Sequence, residues 1–129
     1  MPDTSHPYYT GIQTALSAIA SGRVYPDQLP NDPALPAVRY ALLGDRPHQR
    51  LADGDNTTAD LQVDVYAARA DADGAWPIDA AIRAALDRQQ ISATGFTTVR
   101  IVCTERGRPF KEAGYFRIVS QFRLYGSAA

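Results

Sequence analysis

The chain has 129 residues, enough for one compact domain with a single core. Its apolar fraction of 45% and charged fraction of 21% are average for globular proteins, and its net charge of −1 argues against general binding to nucleic acid or to anionic membranes. A single cysteine, Cys103, excludes a disulfide within the chain, and no apolar run approaches the ~20 residues of a membrane-spanning helix.

The first predicted element is a helix over residues 8–21. Apolar side chains recur there at the i, i+3, i+4, i+7 spacing that lines one helix face, namely at Ile12, Ala15, Leu16 and Ile19. Gly22 follows, and glycine suits the left-handed position that ends helices. Residues 23–36 carry four prolines, each of which fixes φ. We therefore expect a well-defined connector, with a short extended stretch at Val24-Tyr25.

Alternating apolar and polar residues predict two strands, over residues 37–43 and 59–68. Between them, residues 44–58 read GDRPHQRLADGDNTT, a polar stretch without an apolar period. Two interpretations of this stretch stay open. It is either a long loop, functional or disordered, or the two arms of a projecting hairpin, with the turn at Asp53-Gly54.

The second half of the chain predicts a helix followed by a hairpin. Residues 71–74 read as a turn, and Pro77 suits the first turn of a helix that runs to about Gln90. Residues 96–104 and 115–125 alternate as strands around a charged turn at residues 105–114. The predicted fold class is α+β, with two helices packed on one face of a mostly antiparallel sheet of about four strands, in the order α-β-β-α-β-β.

The sequence predicts no catalytic, cofactor or metal site. His6 and His48 lack a partner at metal-ligand spacing, and Cys103 falls on the apolar phase of a strand, where a buried inert thiol is usual. Residues 53–56, DGDN, lack the distal glutamate of a calcium loop. We therefore expect a protein that is not an enzyme and carries no cofactor.

Basic residues and tyrosines mark the predicted interface. Tyr and Arg are enriched where proteins meet, and they alternate along the polar phase of the last strand. Basic residues also fall in the polar stretches 44–58 and 105–114, interleaved with acids. An ordinary solvated sheet face has a similar composition, so this alternative stays open. The candidate partner or oligomer interface comprises Arg46, His48, Arg50, Arg106, Arg108, Lys111, Arg117, Arg123 and Tyr125.

Four stretches carry a family resemblance. They are GRVYPDQLP at residues 22–30, LPAVRYALLG at 35–44, DLQVDVYAA at 60–68 followed by IDAAIRAAL at 78–86, and YFRIVSQFRLYG at 115–126. In this order, over nearly the whole chain, they resemble the tail-completion or tail-terminator proteins of long-tailed bacteriophages.

The resemblance implies one tail-terminator-like domain over residues 1–129, which caps the tail tube at its head-proximal end as a ring, commonly a hexamer. Its partners would be further copies of itself, the tail tube protein and the head-tail connector protein, with no membrane and with DNA only passing through the lumen. It would lie in the virion tail after assembly in the host cytoplasm.

Two alternatives to the terminator role stay open. The first is another position in the same particle, as a head-tail connector or minor tail subunit. The second is a small-molecule-binding α+β domain, which would need a pocket with converging polar groups.

Overall fold

The computed structural model describes residues 7–31, 33–50, 54–112 and 114–128. These residues form two α-helices and six β-strands: α1 (Tyr8–Leu16), β1 (Val24–Pro26), β2 (Ala37–Arg50), β3 (Gly54–Ala68), α2 (Ala72–Leu86), β4 (Gln90–Ile91), β5 (Phe96–Glu112) and β6 (Tyr115–Ala128). Short 3-10 turns follow α1 at Ile19–Gly22 and precede α2 at Arg69–Asp71.

The six strands belong to one sheet with the order β1-β2-β3-β6-β5-β4. β1 runs parallel to β2, and the other neighbouring strands are antiparallel. The sheet curls into a half-barrel, and α1 lies between its two edges. Gly11 packs against Ile91 and Ser92 on the β4 side, while Gln13 Nε2 donates to the Val24 carbonyl of β1 over 3.5 Å. The first helix therefore fills the gap that the curled sheet leaves open.

The predicted fold class was wrong. Strands make up 50% of the chain, and the sheet has six strands, so two helices on a four-stranded sheet do not describe the molecule. β1 and β4 contain three and two residues, too few for a period of two to show in the sequence. Residues 105–112, predicted as part of a charged turn, continue β5, because backbone pairing in a hairpin does not require apolar side chains.

The hairpin interpretation of residues 44–58 is confirmed. β2 pairs with β3 as far as Arg50 opposite Gly54. Asp53, at the predicted turn, lies outside the described residues. The two arms are therefore strands of the main sheet, and the long-loop interpretation is wrong.

Both helices depart from their predicted bounds. α1 ends at Leu16 instead of residue 21, and Ala20 and Ser21 have φ values of 52° and 55°, which an α-helix cannot contain. α2 begins at Ala72 and holds Pro77 inside it. A proline inside a helix costs about 3 kcal/mol relative to alanine, and burial of neighbouring α2 side chains against the sheet offsets this cost.

The hydrophobic core lies between the two helices and the inner face of the sheet. It takes apolar side chains from both helices and alternate residues of the long strands. Its largest fully buried members include Tyr8, Tyr40, Phe122, Ile12, Leu16, Leu61, Ile82, Leu86, Ile101, Ile118 and Leu124. The opposite, outer face of the sheet carries the polar phase of the same strands, and the candidate site lies there.

β1 and β4 cover only part of the long strands at the sheet edges. β1 pairs with Val38–Tyr40 of β2, and β4 pairs with Val99 and Arg100 of β5. Farther along, β2 contains Pro47 and β5 contains Pro109. Proline has no N–H to donate to a further strand and is typical of protected sheet edges.

Candidate functional site

The predicted interface residues lie at opposite ends of the sheet. The first group is in the last part of β2, and comprises Arg46, His48 and Arg50. The second group is in the last part of β5, and comprises Arg106, Arg108 and Lys111. The third group is in β6, with Arg117 near its start and Arg123 and Tyr125 near its end. The structure places Arg108 and Arg117 in one cluster and does not bring the β2 group to it.

Alternating aromatic rings and guanidinium groups cross the outer face near the β5–β6 turn. Arg117 Cζ lies 6.0 Å from the ring centroid of Tyr66 on β3 and 5.0 Å from that of Phe110 on β5. Arg108 Cζ lies 5.6 Å from the Phe110 centroid, and the rings of Tyr66 and Tyr115 are 5.4 Å apart. We call Tyr66, Arg108, Phe110, Tyr115 and Arg117 the Arg–aromatic row. Cation–π attraction of about 0.5–1 kcal/mol per exposed pair holds its members together.

The buried carboxylate of Asp64 contacts two members of this row, Tyr66 and Arg117. Asp64 is fully buried on the outer face and accepts hydrogen bonds from Arg39 Nη1 at 2.8 Å, Gln62 Nε2 at 3.0 Å and Tyr66 Oη at 3.4 Å. Arg117 Nη1 lies 3.9 Å from its Oδ2 atom. Burial of a carboxylate is tolerated only with such compensation. Asp64 therefore orients Arg39 and Arg117, which come from the strands on either side of β3.

A cleft of about 610 Å³ adjoins the row, between the outer face and the proline-rich connector. It is lined by Asp27, Gln28, Leu29, Pro33, Leu35, Arg39, Tyr66 and Tyr115. Its charged side chains are bonded within the chain, since Tyr9 Oη donates to Asp27 Oδ1 over 3.2 Å and Arg39 is held by Asp64. Leu35 at the rim is 38% exposed. The surface that lines the cleft is mostly apolar. The cleft is therefore better suited to binding an apolar side chain than to catalysing a reaction.

Cys103 on β5 has the surroundings of an unreactive thiol. Burial raises the pKa of the Cys103 thiol, and the nearby carboxylate of Asp87 raises it further. Its Sγ atom lies 3.6 Å from the Glu105 carbonyl oxygen, to which the thiol donates. Because the thiolate is the nucleophilic form, this environment disfavours nucleophilic chemistry.

A second buried carboxylate ties α2 to the β5–β6 hairpin. Asp79 is 1% exposed and accepts hydrogen bonds from Ser120 Oγ at 2.7 Å and from Arg83 Nη1. Gly107 lies against it, because an ideal Cβ at residue 107 would be 2.8 Å from Asp79 Oδ2. Nothing in the sequence distinguishes Asp79 from the solvent-exposed aspartates that are common in helices.

Over the described part of the chain, no group of three or more His, Cys, Asp or Glu side chains is arranged to hold a metal ion. Neither α-helix among these residues is long and apolar enough to cross a membrane.

A family model described as tail completion protein gp17 matches residues 12–126, most of the chain. The chain belongs to the tail completion protein gp17 family. This confirms the resemblance seen in the sequence. The protein is a structural component of the phage tail. The Arg–aromatic row is therefore part of the surface of a tail protein.

Two solved structures share the fold of this tail completion protein. A chain in the structure of the virion of a native gene transfer agent particle matches with a TM-score of 0.71 and 19% identity, over 92% of this chain and 93% of that one. A second solved structure matches with a TM-score of 0.70 and 14% identity, over 95% of this chain and 92% of that one. At these identities the likeness is one of fold. Comparison with curated protein sequences gives no significant match.

Proposed function

We propose that this tail completion protein caps the tail tube at its head-proximal end as a hexameric ring and docks the tube to the head-tail connector protein. Residues 1–129 act as one domain that assembles in the host cytoplasm. The protein catalyses no reaction and binds no cofactor, and DNA meets it only in passing through the lumen. The match of the family model over residues 12–126 carries this proposal.

The Arg–aromatic row supports a docking role. Tyr and Arg contribute strongly to binding energy at protein interfaces, and ordering a flexible side chain on binding costs about 0.5–1.5 kcal/mol. Here the guanidinium of Arg117 is already positioned by Asp64 and by the rings of Tyr66 and Phe110. A preorganised surface of this kind loses less entropy when the tube or connector protein binds.

Particles produced in the absence of this chain test the proposal directly. Electron microscopy should show overlong tails or tail tubes without heads, and supplying the chain in trans should restore finished particles. Full heads accompanied by separate tails of normal length would indicate a joining role in place of termination. Tails of normal length attached to heads would contradict both roles.

A variant of the row tests the surface itself. Arg108→Ala combined with Phe110→Ala removes two row members whose side chains are at least partly exposed, so we expect normal folding by circular dichroism and at least a tenfold loss of finished particles. Arg100→Ala with Val102→Ala changes two exposed side chains elsewhere on β5 and serves as the matched control. Equal particle yields from the two variants would show that the row is not the docking surface.

A further inference from the structure

The side of α2 that faces solvent is apolar. A surface helix normally carries polar and charged side chains on this side. Here the exposed residues between Asp73 and Arg88 are all uncharged, namely Gly74, Trp76, Pro77, Ala80, Ala81 and Ala84. The last five of these, which we call the α2 face, span about 140° of the helix at about 100° per residue. An exposed apolar surface of this kind is typical of a contact between proteins.

Trp76 is the largest side chain of the α2 face. It is 42% exposed, and its ring rests on the sheet, with its centroid 6.2 Å from that of Phe116. Tryptophan contributes strongly to binding energy at protein interfaces. Farther along α2 the exposed residues are alanines, so the face has a large side chain at one end and small side chains at the other.

The two ends of the α2 face also carry opposite charges. Asp73 lies in the first turn of α2, Arg88 lies two residues beyond its end, and both are exposed. At 1.5 Å per residue they are about 22 Å apart, well beyond the Debye length of about 8 Å. Arg83 and Asp87, which lie nearby, are bonded within the chain. Asp73 and Arg88 are therefore placed to meet charges outside their own copy.

We propose that two free copies of this chain pair through the α2 face, with their helices antiparallel and the two-fold axis between Ala80 and Ala81. This arrangement places Asp73 of one copy opposite Arg88 of the other at both ends of the contact. The alanines at the axis let the two helices approach to the short end of the usual interaxial range of about 8–10 Å.

The antiparallel arrangement also matches large side chains to small ones. Trp76 of each copy lies opposite Ala84 and Ala85 of the other, where the helix surface leaves room for an indole. A parallel pair would instead set Trp76 against Trp76 and Asp73 against Asp73. The α2 face is thus complementary to itself, as a two-fold contact requires, and its occupant is a second copy.

This pairing goes beyond the proposed ring and does not depend on it. Neighbours in a ring meet through two different patches, whereas the α2 face meets an identical face. α2 packs on the inner side of the sheet, so the pair leaves the Arg–aromatic row on the outer face uncovered. The α2 pair is therefore a state of the free protein, separate from the contacts of the assembled cap.

The single tryptophan of the chain reports on this contact directly. Sedimentation velocity should show a monomer–dimer equilibrium that shifts with protein concentration. The emission of Trp76 should move to shorter wavelength with the same midpoint, because pairing buries the indole. Association without a change in emission would place the contact elsewhere and overturn the inference, as would a chain that remains monomeric at about 1 mM.

Ala80→Arg tests the position of the axis. It sets two guanidinium groups against each other and should weaken pairing at least tenfold, while arginine preserves the helix propensity of the site. Thr14→Arg adds the same charge at an exposed position of α1 and serves as the matched control. Circular dichroism confirms the fold of both variants, and equal dissociation constants for the two would refute the pairing.

Exchange of the end charges tests the antiparallel register. Asp73→Arg alone and Arg88→Asp alone each place like charges opposite each other, so each should weaken pairing. Aspartate tolerates the left-handed backbone of residue 88, whose φ is 61°. A chain that carries both substitutions should pair more tightly than either single variant, and a double variant as weak as the single ones would overturn the antiparallel pair.

Complementation of particles separates the α2 pair from the proposed function. The Ala80→Arg chain should still restore finished particles, because the pair belongs to the free protein. If this variant is folded and monomeric but does not restore them, the α2 face binds a tail partner and the inference fails, while the capping role stands. If particles finish without any copy of the chain, the proposed function fails instead.

Discussion

The Ser120→Ala substitution removes the hydroxyl that satisfies Asp79. Ser120 is fully buried on β6, and its Oγ atom donates to Asp79 Oδ1 over 2.7 Å. Asp79 is itself 1% exposed, so no solvent replaces the lost donor, although Arg83 still contacts the other oxygen. A hydrogen bond to a charged group contributes about 1.5–3 kcal/mol, and we expect the free energy of unfolding to fall by about 2 kcal/mol.

Thermal and urea unfolding measure this loss. For a chain of this length, 1 kcal/mol corresponds to about 4 °C in Tm, so Ser120→Ala should lower Tm by about 8 °C. The matched control is Ser127→Ala on the same strand, where the side chain is exposed and the change should stay within about 0.5 kcal/mol. If Ser120→Ala and Ser127→Ala unfold at the same temperature, the Asp79 contact does not stabilise the attachment of α2 to the β5–β6 hairpin.

Three further predictions concern the core and its titratable groups. The Cβ added by Gly126→Ala would clash with Tyr8 Oη, so urea unfolding should show a loss of about 1–3 kcal/mol in stability from overpacking. Adding Tyr8→Phe should recover part of this loss, and no recovery would refute the clash as its cause. Burial raises the pKa of Tyr40 to about 12, so the contribution of Tyr40 to stability is complete below about pH 10 and is lost as pH rises toward 12. The absorbance of the phenolate should show a late-titrating component that Tyr40→Phe removes, and an unchanged titration curve would contradict the assignment. Because burial raises the pKa of Cys103, a disulfide reagent at pH 8 should modify the folded protein more slowly than the urea-unfolded protein, and equal rates would contradict the burial.

Alternation in the sequence located the central strands, because side chains that face a core on one side must repeat with a period of two. β3 is the best example, with Leu61, Val63 and Val65 all fully buried. The curl of the sheet and its edge strands could not be predicted in this way. They depend on contacts between distant segments, such as that of Gly11 with Ser92, and such contacts leave no periodic signal.

The candidate site was predictable only in part. Tyr and Arg on the polar phase of β6 pointed to Arg117, which does lie in the Arg–aromatic row. Phe110 was missed because it falls in a stretch predicted as a charged turn, and pairing with Arg117 places it on the outer face. In the sequence, Asp64 lies on the polar phase of a predicted strand, where an aspartate is usually exposed to solvent. Its complete burial arises because Arg39, Gln62 and Tyr66 converge on it from neighbouring positions.

The prolines at the two uncovered sheet margins bear on how the protein behaves before a tail is available. Unpaired edge strands of identical subunits tend to pair with one another and form fibres. Pro47 in β2 and Pro109 in β5 interrupt such backbone pairing at the two margins of the sheet. Backbone pairing between free copies is therefore disfavoured along these margins. In the proposed ring, contact between copies is left to side chains.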